Sequence, residues 1–378
     1  MIWGDRVRLV RELRGLTQSD LAEQIGISRV TVAHIETGRA QPSDAVVETL
    51  ALRTGFPPAF FRQGPVPQLP LGSLLFRARR ATTKWEFAQA QRYGELVYEC
   101  AETLARRLSH SPAIRLPRFA HDPTGRLTPA SSAQVTRGAL GFSPVAPIGN
   151  LVTAVEKAGV FVLALPTSLE KRDAFSTWVQ TTEGLLRPLI ALSTRVPGDR
   201  LRLSLAHELG HLVLHQEMAG TLDEIEEQAR HFAVELLMPR EAMVVEITQP
   251  VTLTSLAELK PRWGVSIQAL IMAARDYDLV TDRQKRYLFE QLGAMGWRTS
   301  EPIAITPEKP RTLRRMAEIA FGETATAERL AEAMSIPVPL ARDILDAHAA
   351  KSEMPAIGGP KPDTRKVVHF TPRPRAVP

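Results

Sequence analysis

The chain has 378 residues, enough for two or three domains, and its 44% hydrophobic and 23% charged content is that of an ordinary globular protein. No apolar run approaches the length of a bilayer span, and residues 1–15 are charged and helix-patterned, unlike a secretory signal. A single cysteine, Cys100, excludes an internal disulfide and leaves His, Asp and Glu as the donors for any metal. We therefore expect a cytoplasmic protein with no membrane partner.

The net charge of +6 lies mostly in the last segment. Residues 351–378 hold six basic and two acidic side chains, a contribution of +4, together with six prolines. A basic tail attracts nucleic-acid phosphates without sequence preference. The same composition is typical of a disordered, solvated end, and this is the interpretation that composition favours.

In chain order, the pattern predicts an α+β fold that is mostly helical. Short helices fill residues 1–55, and a proline-rich linker follows at 56–72. Residues 73–300 are predicted to form one domain, with strands at FVLALP, FSTWVQ and RPLIALS and then two long helices before Pro239. We expect a small helical unit at 301–350 and a disordered basic tail at 351–378.

Residues 15–43, GLTQSDLAEQIGISRVTVAHIETGRAQPS, read as two helices joined by a tight turn. Thr17 can cap the first helix, Gly26 ends it, and Ser28 can cap the second. Two helices joined in this way form a helix-turn-helix, whose second helix fits a DNA major groove. The predicted inward residues are Leu21, Ile25, Val32 and Ile35, and the open face of the second helix carries Arg29, Val30, Ala33 and His34.

Residues 5–55 resemble the XRE (Cro/C1-type repressor) family, on the strength of GLTQSDLAEQIGIS, VAHIETGRAQPS and their spacing. The resemblance implies double-stranded operator DNA as a partner and a homodimer on an inverted repeat. It also implies that Gln18 contacts a phosphate and braces the reading helix, while arginine and valine on that helix meet guanine and the thymine methyl group. The alternative is a helical bundle that contacts only protein. The candidate DNA-contacting residues are Gln18, Ser28, Arg29, Val30 and His34.

Residues 203–215, LSLAHELGHLVLH, place two histidines and a glutamate in a leucine-rich helix. His207 and His211 are four residues apart, which puts them on one face with a rise of about 6 Å. Two imidazoles in this arrangement can hold Zn²⁺, and Glu208 can reach a water beside it. The alternative is a hydrogen-bonded histidine pair on an ordinary core helix, but buried imidazoles need partners.

The third ligand is expected from the next helix, DEIEEQARHFAVELLMP. It offers four candidate carboxylates near its start: Asp223, Glu224, Glu226 and Glu227. Glu226 shares its face with Ala229, Ala233 and Leu237, where small residues permit close helix approach. Glu227 instead aligns with Arg230 and His231 on a more solvated face, so the spacing favours Glu226.

Residues 75–300 resemble the ImmA/IrrE metallopeptidase family, most strongly at LAHELGHLVLH and ARHFAVELLMP and more weakly at LLFRARR, DAFSTW and RPLIALS. The resemblance implies Zn²⁺ held by His207, His211 and Glu226, with Glu208 as the general base. Gln228 stands where family members commonly have Glu or a similar residue, at a position that is not a ligand in the family pattern.

Hydrolysis by such a site needs a group that stabilises the oxyanion. His215, Arg230 and His231 are near in sequence, but the spacing singles out none of them, and His215 equally suits a helix end.

Three functions remain open from the sequence. The first is a regulator whose peptidase cuts itself or a partner repressor, as the family resemblance implies for stress or mobile-element responses. For self-cleavage we expect the cut between Phe56 and Arg80, which would separate the reading heads from a dimeric body. The second is a transcription factor with a structural or sensory zinc site. The third is an antitoxin-like regulator.

Overall fold

The computed structural model describes residues 1–69, 84–108, 113–119, 127–165, 174–181, 184–194, 196–215, 220–324 and 326–350. The predicted tail and LLFRARR lie outside these ranges. The described residues form 17 helices and a three-stranded sheet, which confirms the mostly helical α+β class. None of the described helices is long and apolar enough to cross a bilayer.

The N-terminal unit is a helical bundle. Thr17 caps its second helix with a reciprocal bond to Asp20, Gly26 ends that helix at φ +71°, and Ser28 caps the third. The side chains predicted to point inward are buried. Its helices are α1 (Gly4–Leu13), α2 (Gln18–Ile25), α3 (Arg29–Glu36), α4 (Asp44–Thr54) and α5 (Pro58–Arg62).

The predicted linker at 56–72 begins with a short helix, while residues 63–69 have neither helix nor strand. Pro57 and Pro58 start α5, because a proline at the first helical position loses no hydrogen bond. Phe56, Phe60 and Phe61 are buried at 2% exposure or less and pack against one another. The prolines therefore begin a short helix that carries part of the aromatic core.

A long helix, α6 (Lys84–Arg107), joins the N-terminal unit to the rest of the chain. Arg6 of α1 pairs with Glu99 at 2.6 Å, and Arg92 pairs with Glu12 of α1 at 2.6 Å. The buried residues of α1 to α6 and of the C-terminal helices form one continuous hydrophobic core.

The sheet has the order β1-β3-β2, with β1 (Phe161–Leu165), β2 (Ala174–Gln180) and β3 (Leu186–Ser193). β1 runs parallel to β3 and β2 runs antiparallel to it, with Ser176 opposite Ile190. The three predicted strands are thus confirmed. Two helices precede the sheet, α7 (Pro129–Ala139), which the sequence left unassigned, and α8 (Leu151–Lys157).

The two long helices predicted after the strands are α9 (Gly198–Leu214) and α10 (Leu222–Leu237). They pack closely at Gly210, where an added Cβ would lie 3.0 Å from the Phe232 ring and 3.3 Å from the Ala229 Cα. A methyl group at this position would require the Phe232 ring or the helix spacing to shift by a few tenths of an ångström. Four helices complete this part: α11 (Arg240–Glu246), α12 (Leu253–Trp263), α13 (Ile267–Asp276) and α14 (Asp282–Ala294).

The C-terminal helices are α15 (Thr312–Phe321), α16 (Thr326–Met334) and α17 (Val338–Asp346). The sequence predicted a small helical unit at 301–350, and these helices pack against other parts of the chain. α15 packs on α6, and the ring of His348, which is fully buried, accepts a hydrogen bond from the Ala164 backbone in β1. Before these helices, residues 299–307 run along the wall of a large cleft.

Candidate metal centre and DNA-reading face

Three of the predicted side chains converge where α9 faces α10. The Nε2 atoms of His207 and His211 are 3.1 Å apart, and the carboxylate oxygens of Glu226 lie 3.2 Å from the first and 3.6 Å from the second. The side chain of His211 is 8% exposed, that of His207 24% and that of Glu226 45%. His207 and Glu226 line the cleft, whereas His211 is the most buried of the three.

The other three candidate carboxylates of α10 are not part of this cluster. Glu224 caps the helix, and its hydrogen bonds with the Thr221 backbone and hydroxyl lower its pKa. The hydrogen bond from Arg230 lowers the pKa of Glu227, which also approaches His231. Asp223 is exposed at the rim of the cleft.

Glu208 is buried beside the histidines and is held by a residue that the sequence analysis missed. The Ser176 hydroxyl of β2 donates to Glu208 Oε2 at 2.6 Å. The indole of Trp178, two residues along β2, donates to the Leu212 carbonyl and fixes the strand against α9. The alternation of FSTWVQ places Ser176 and Trp178 on one face, but only the packing of the strand on α9 identifies the glutamate as a partner.

The structure separates the three residues considered for oxyanion stabilisation. His215 lies behind His211, with Nδ1 atoms 3.0 Å apart. Arg230 lines the cleft, but it pairs with Glu227 and with Asp276, and its hydrogen bond with Glu227 raises its pKa. His231 is half-exposed beside Glu227.

The cleft above the candidate centre has a volume of about 1640 Å³. Its floor includes His207, Glu208 and Glu226, and Ala174 of β2 lines it as well. The remaining walls come from α13, α14 and residues 297–307, and they carry bulky apolar side chains. These are Met272, Phe289, Trp297, Ile303 and Ile305.

An ion-pair cluster fixes the wall formed by residues 299–307. Lys260, which is 2% exposed, pairs with Glu301 at 2.6 Å and also with Asp199. Glu301 additionally accepts from the backbone N–H of Ile267 at the start of α13. At the far end, Gly198 donates to the Ile305 carbonyl. The sequence analysis missed this cluster because Lys260 is 61 residues from Asp199 and 41 residues from Glu301 along the chain.

The reading helix α3 stands at the surface. Arg29, Val30 and His34 are exposed, and the Val30 side chain is 62% exposed despite being apolar. The Ser28 side chain, although exposed, caps α3 by accepting a hydrogen bond from the Thr31 backbone N–H at 3.0 Å.

The helix is braced from behind. Gln18 donates to Glu36 at 2.8 Å, and Arg11 donates to the same carboxylate at 2.5 Å. The brace predicted for Gln18 is therefore present as a contact between α2 and α3, while the outward side chains of α3 are presented to solvent.

Comparison with known proteins adds independent findings. Residues 155–275 match the family described as the IrrE N-terminal-like domain, and residues 3–60 match a helix-turn-helix domain family. The second range extends into the start of α5 and includes Phe56 and Phe60. Among curated proteins, an uncharacterized HTH-type transcriptional regulator, YazB from Bacillus subtilis (strain 168), is 42% identical over 50 residues, which cover 13% of this chain and 72% of that protein.

The first match contains both helices of the candidate centre, and the second contains the reading helix. The chain thus belongs to the HTH-type transcriptional regulators, and an IrrE-like domain is fused to the reader in the same polypeptide.

Proposed function

We propose that the chain is a DNA-binding transcriptional regulator whose second domain is a zinc-dependent peptidase acting on itself or on a partner repressor. The observation that carries the proposal is the convergence of two imidazoles and a carboxylate at 3.1 to 3.6 Å beside a buried glutamate, on the floor of an open cleft.

The donor set fits Zn²⁺. Bond lengths of about 2.0–2.2 Å in a tetrahedron separate neighbouring donor atoms by about 3.3–3.6 Å. The three separations here lie at or within a few tenths of an ångström of that range, so little movement is needed to hold an ion. His207, His211 and Glu226 would be its ligands. Three protein donors are the number found in catalytic zinc sites, whereas structural sites have four.

Glu208 is the proposed general base. When bound, Zn²⁺ supplies Lewis acidity that activates a water and polarises a carbonyl. The Glu208 carboxylate, oriented through Oε2 by Ser176, is placed to accept a proton from the attacking water and to pass it to the leaving amine. A site with a purely structural or sensory metal needs no base in this position.

The cleft indicates a polypeptide substrate. Its volume of about 1640 Å³ exceeds the roughly 300–1,000 Å³ of most small-molecule pockets. The apolar wall formed by α13, α14 and residues 297–307 favours a segment with a bulky hydrophobic residue near the cut bond.

The structure also bears on whether the chain cuts itself or a partner repressor. The predicted self-cleavage segment begins at residues 56–69, where the buried phenylalanines resist entry into a cleft, and continues into residues outside the described ranges. This part of the structure favours a partner repressor over self-cleavage at that joint.

The reading helix supports operator binding. Arg29 and His34 offer donors for base edges and Val30 an apolar contact for a thymine methyl group. We propose a homodimer on an inverted repeat, since single reading helices of this class work in pairs one helical turn apart.

The test is to incubate the zinc-loaded full chain and its Glu208→Gln variant, alone and with a peptide library prepared from a bacterial proteome. Mass spectrometry of the wild type should show cuts next to bulky apolar residues, and the variant should show none. Intact mass of the chain alone reports self-cleavage. Zinc binding without cleavage of either sample would contradict the peptidase and leave the sensory or structural alternative.

A further inference from the structure

Behind the candidate metal centre, two hydrogen bonds follow one another away from His211. The Nδ1 atom of His211 lies 3.0 Å from Nδ1 of His215, and Nε2 of His215 lies 3.0 Å from Oε1 of Gln228. The opposite nitrogen of His211, Nε2, is the one that faces His207. The three side chains form a line that ends at the centre.

The chemistry of the outermost member fixes the protons along this line. An amide oxygen only accepts, so Nε2 of His215 carries a proton when it bonds Gln228 Oε1. Nδ1 of neutral His215 is then an acceptor, and Nδ1 of His211 must donate to it. His211 consequently presents an unprotonated Nε2 lone pair to the centre, which is the form that binds a metal.

We propose that His215 and Gln228 are positioning residues that hold His211 in its Nδ1-protonated tautomer, ready to ligate zinc. This inference rests on the proposed zinc site. Metal-bound histidines usually donate their second nitrogen to a carboxylate, a carbonyl or water. Here His215 accepts that hydrogen bond from His211, and Gln228 on the neighbouring helix fixes the orientation of the His215 ring.

The fold explains why these residues meet. His215 follows the last residue of α9, one turn after His211, while Gln228 is two residues after Glu226 on α10. One helix therefore supplies both the third candidate ligand and the outer end of the line. His215 is half-buried, whereas Gln228 is exposed. Water can replace the amide more easily than it can replace the imidazole, so His215 should matter more.

The test measures zinc affinity of the full chain by competition with a chromophoric chelator. Removal of an outer partner costs about 10–100-fold in metal affinity. We expect a loss in that range for His215→Ala, a smaller loss for Gln228→Leu, and retention for Gln228→Glu, whose carboxylate accepts the same hydrogen bond. His231→Ala is the matched control, because His231 lies on α10 away from this line, and it should bind as the wild type does.

A second readout needs no metal. Nitrogen chemical shifts of ¹⁵N-histidine-labelled apoprotein report which ring nitrogen carries the proton, and His211 should be protonated at Nδ1 in the wild type. The Nε2-protonated form in the wild type, or unchanged zinc affinity in both His215→Ala and Gln228→Leu, overturns the positioning role while the zinc site stands. A wild type without zinc affinity overturns the proposed function together with it. The exposed Gln228 keeps the test valid if His215→Ala fails to fold.

Discussion

The reading helix and the candidate metal centre use buried polar groups in opposite ways. At α3 the charged contacts lie behind the functional surface, where Arg11 and Gln18 hold Glu36, and the outward side chains make few restraining contacts. At the centre the functional atoms themselves are held, since Ser176 orients Glu208 and His215 contacts His211.

The difference follows from the two tasks. A surface that reads DNA needs a rigid frame and side chains that adjust to base edges and phosphates. A hydrolytic site needs its reacting atoms fixed before the substrate arrives, because preorganised groups lower the barrier without reorganising. Substitutions behind α3 should therefore affect binding to every DNA sequence, and those behind the centre should affect chemistry more than stability.

The largest expected effect is the loss of hydrolysis in Glu208→Gln. General acid–base catalysis contributes about 10²–10⁴-fold, and kcat/KM should fall by that amount. Zinc content and operator affinity should stay at wild-type values, as Glu208 is neither a candidate ligand nor part of the reader. A parallel loss of zinc would mean that Glu208 holds the metal, and the contrast between the two regions would lose its basis.

The packing of the C-terminal helices against β1 should depend on pH through His348. Burial lowers the pKa of this ring to about 4, from 6.5 in the unfolded chain, and Arg314 adds to the shift. The neutral ring contributes its full stabilisation of the fold above pH 6.5. This stabilisation decreases as the pH falls from 6.5 to about 4, because the unfolded chain binds the proton more tightly than the folded chain does. The free energy of unfolding should fall by on the order of 3 kcal/mol over that window.

Denaturant unfolding of the wild type and of His348→Gln between pH 7 and pH 4 isolates this contribution. The advantage of the wild type should shrink with decreasing pH, since glutamine does not titrate. A constant difference between the two proteins would contradict the lowered pKa of His348 in the folded state.

The close approach of α9 and α10 should be sensitive to one methyl group. Gly210→Ala places a Cβ 3.0 Å from the Phe232 ring, and overpacking of this kind costs about 1–3 kcal/mol. Separation of the helices should also weaken zinc binding, because the two histidines and Glu226 lie on opposite sides of the contact. Gly138→Ala on α7, where an added Cβ meets nothing within 4 Å, is the control.

At the reader, the outward and inward residues should behave differently. Arg29→Ala should cost about 1–3 kcal/mol for the operator and little for random DNA, because a bidentate base contact is sequence-specific. Glu36→Gln, which weakens the brace behind α3, should reduce binding to both. Fluorescence titrations with operator and scrambled duplexes measure the DNA affinity of both variants. If Arg29→Ala lost equal affinity for the two duplexes, Arg29 would be a phosphate contact.

The smallest expected effect is that of Ser176→Ala. A hydrogen bond to a charged group contributes about 1.5–3 kcal/mol. Other contacts of the Glu208 carboxylate compensate for part of its loss, so kcat should fall roughly tenfold. KM and the unfolding midpoint should change little. A lowered midpoint with unchanged kcat would make Ser176 a structural residue only.

Local motifs explain which features the sequence predicted. Thr17, Gly26 and Ser28 act within a few residues of their own positions, and the convergence of His207, His211 and Glu226 needs only two adjacent helices. Ser176, Lys260 and Glu301 could not be predicted, since their partners are set by how distant segments pack. Pro57 and Pro58 predicted a linker but begin α5, because proline is common both in linkers and at the first position of a helix.

The most direct test of the central claim is the zinc content of the full chain and of two matched glutamate variants on α10. Elemental analysis after dialysis should find one Zn²⁺ per chain in the wild type and in Glu227→Gln, whose carboxylate pairs with Arg230 instead. Glu226→Gln should lose most of the metal. Full zinc retention in Glu226→Gln, or loss in Glu227→Gln, would contradict the proposed centre.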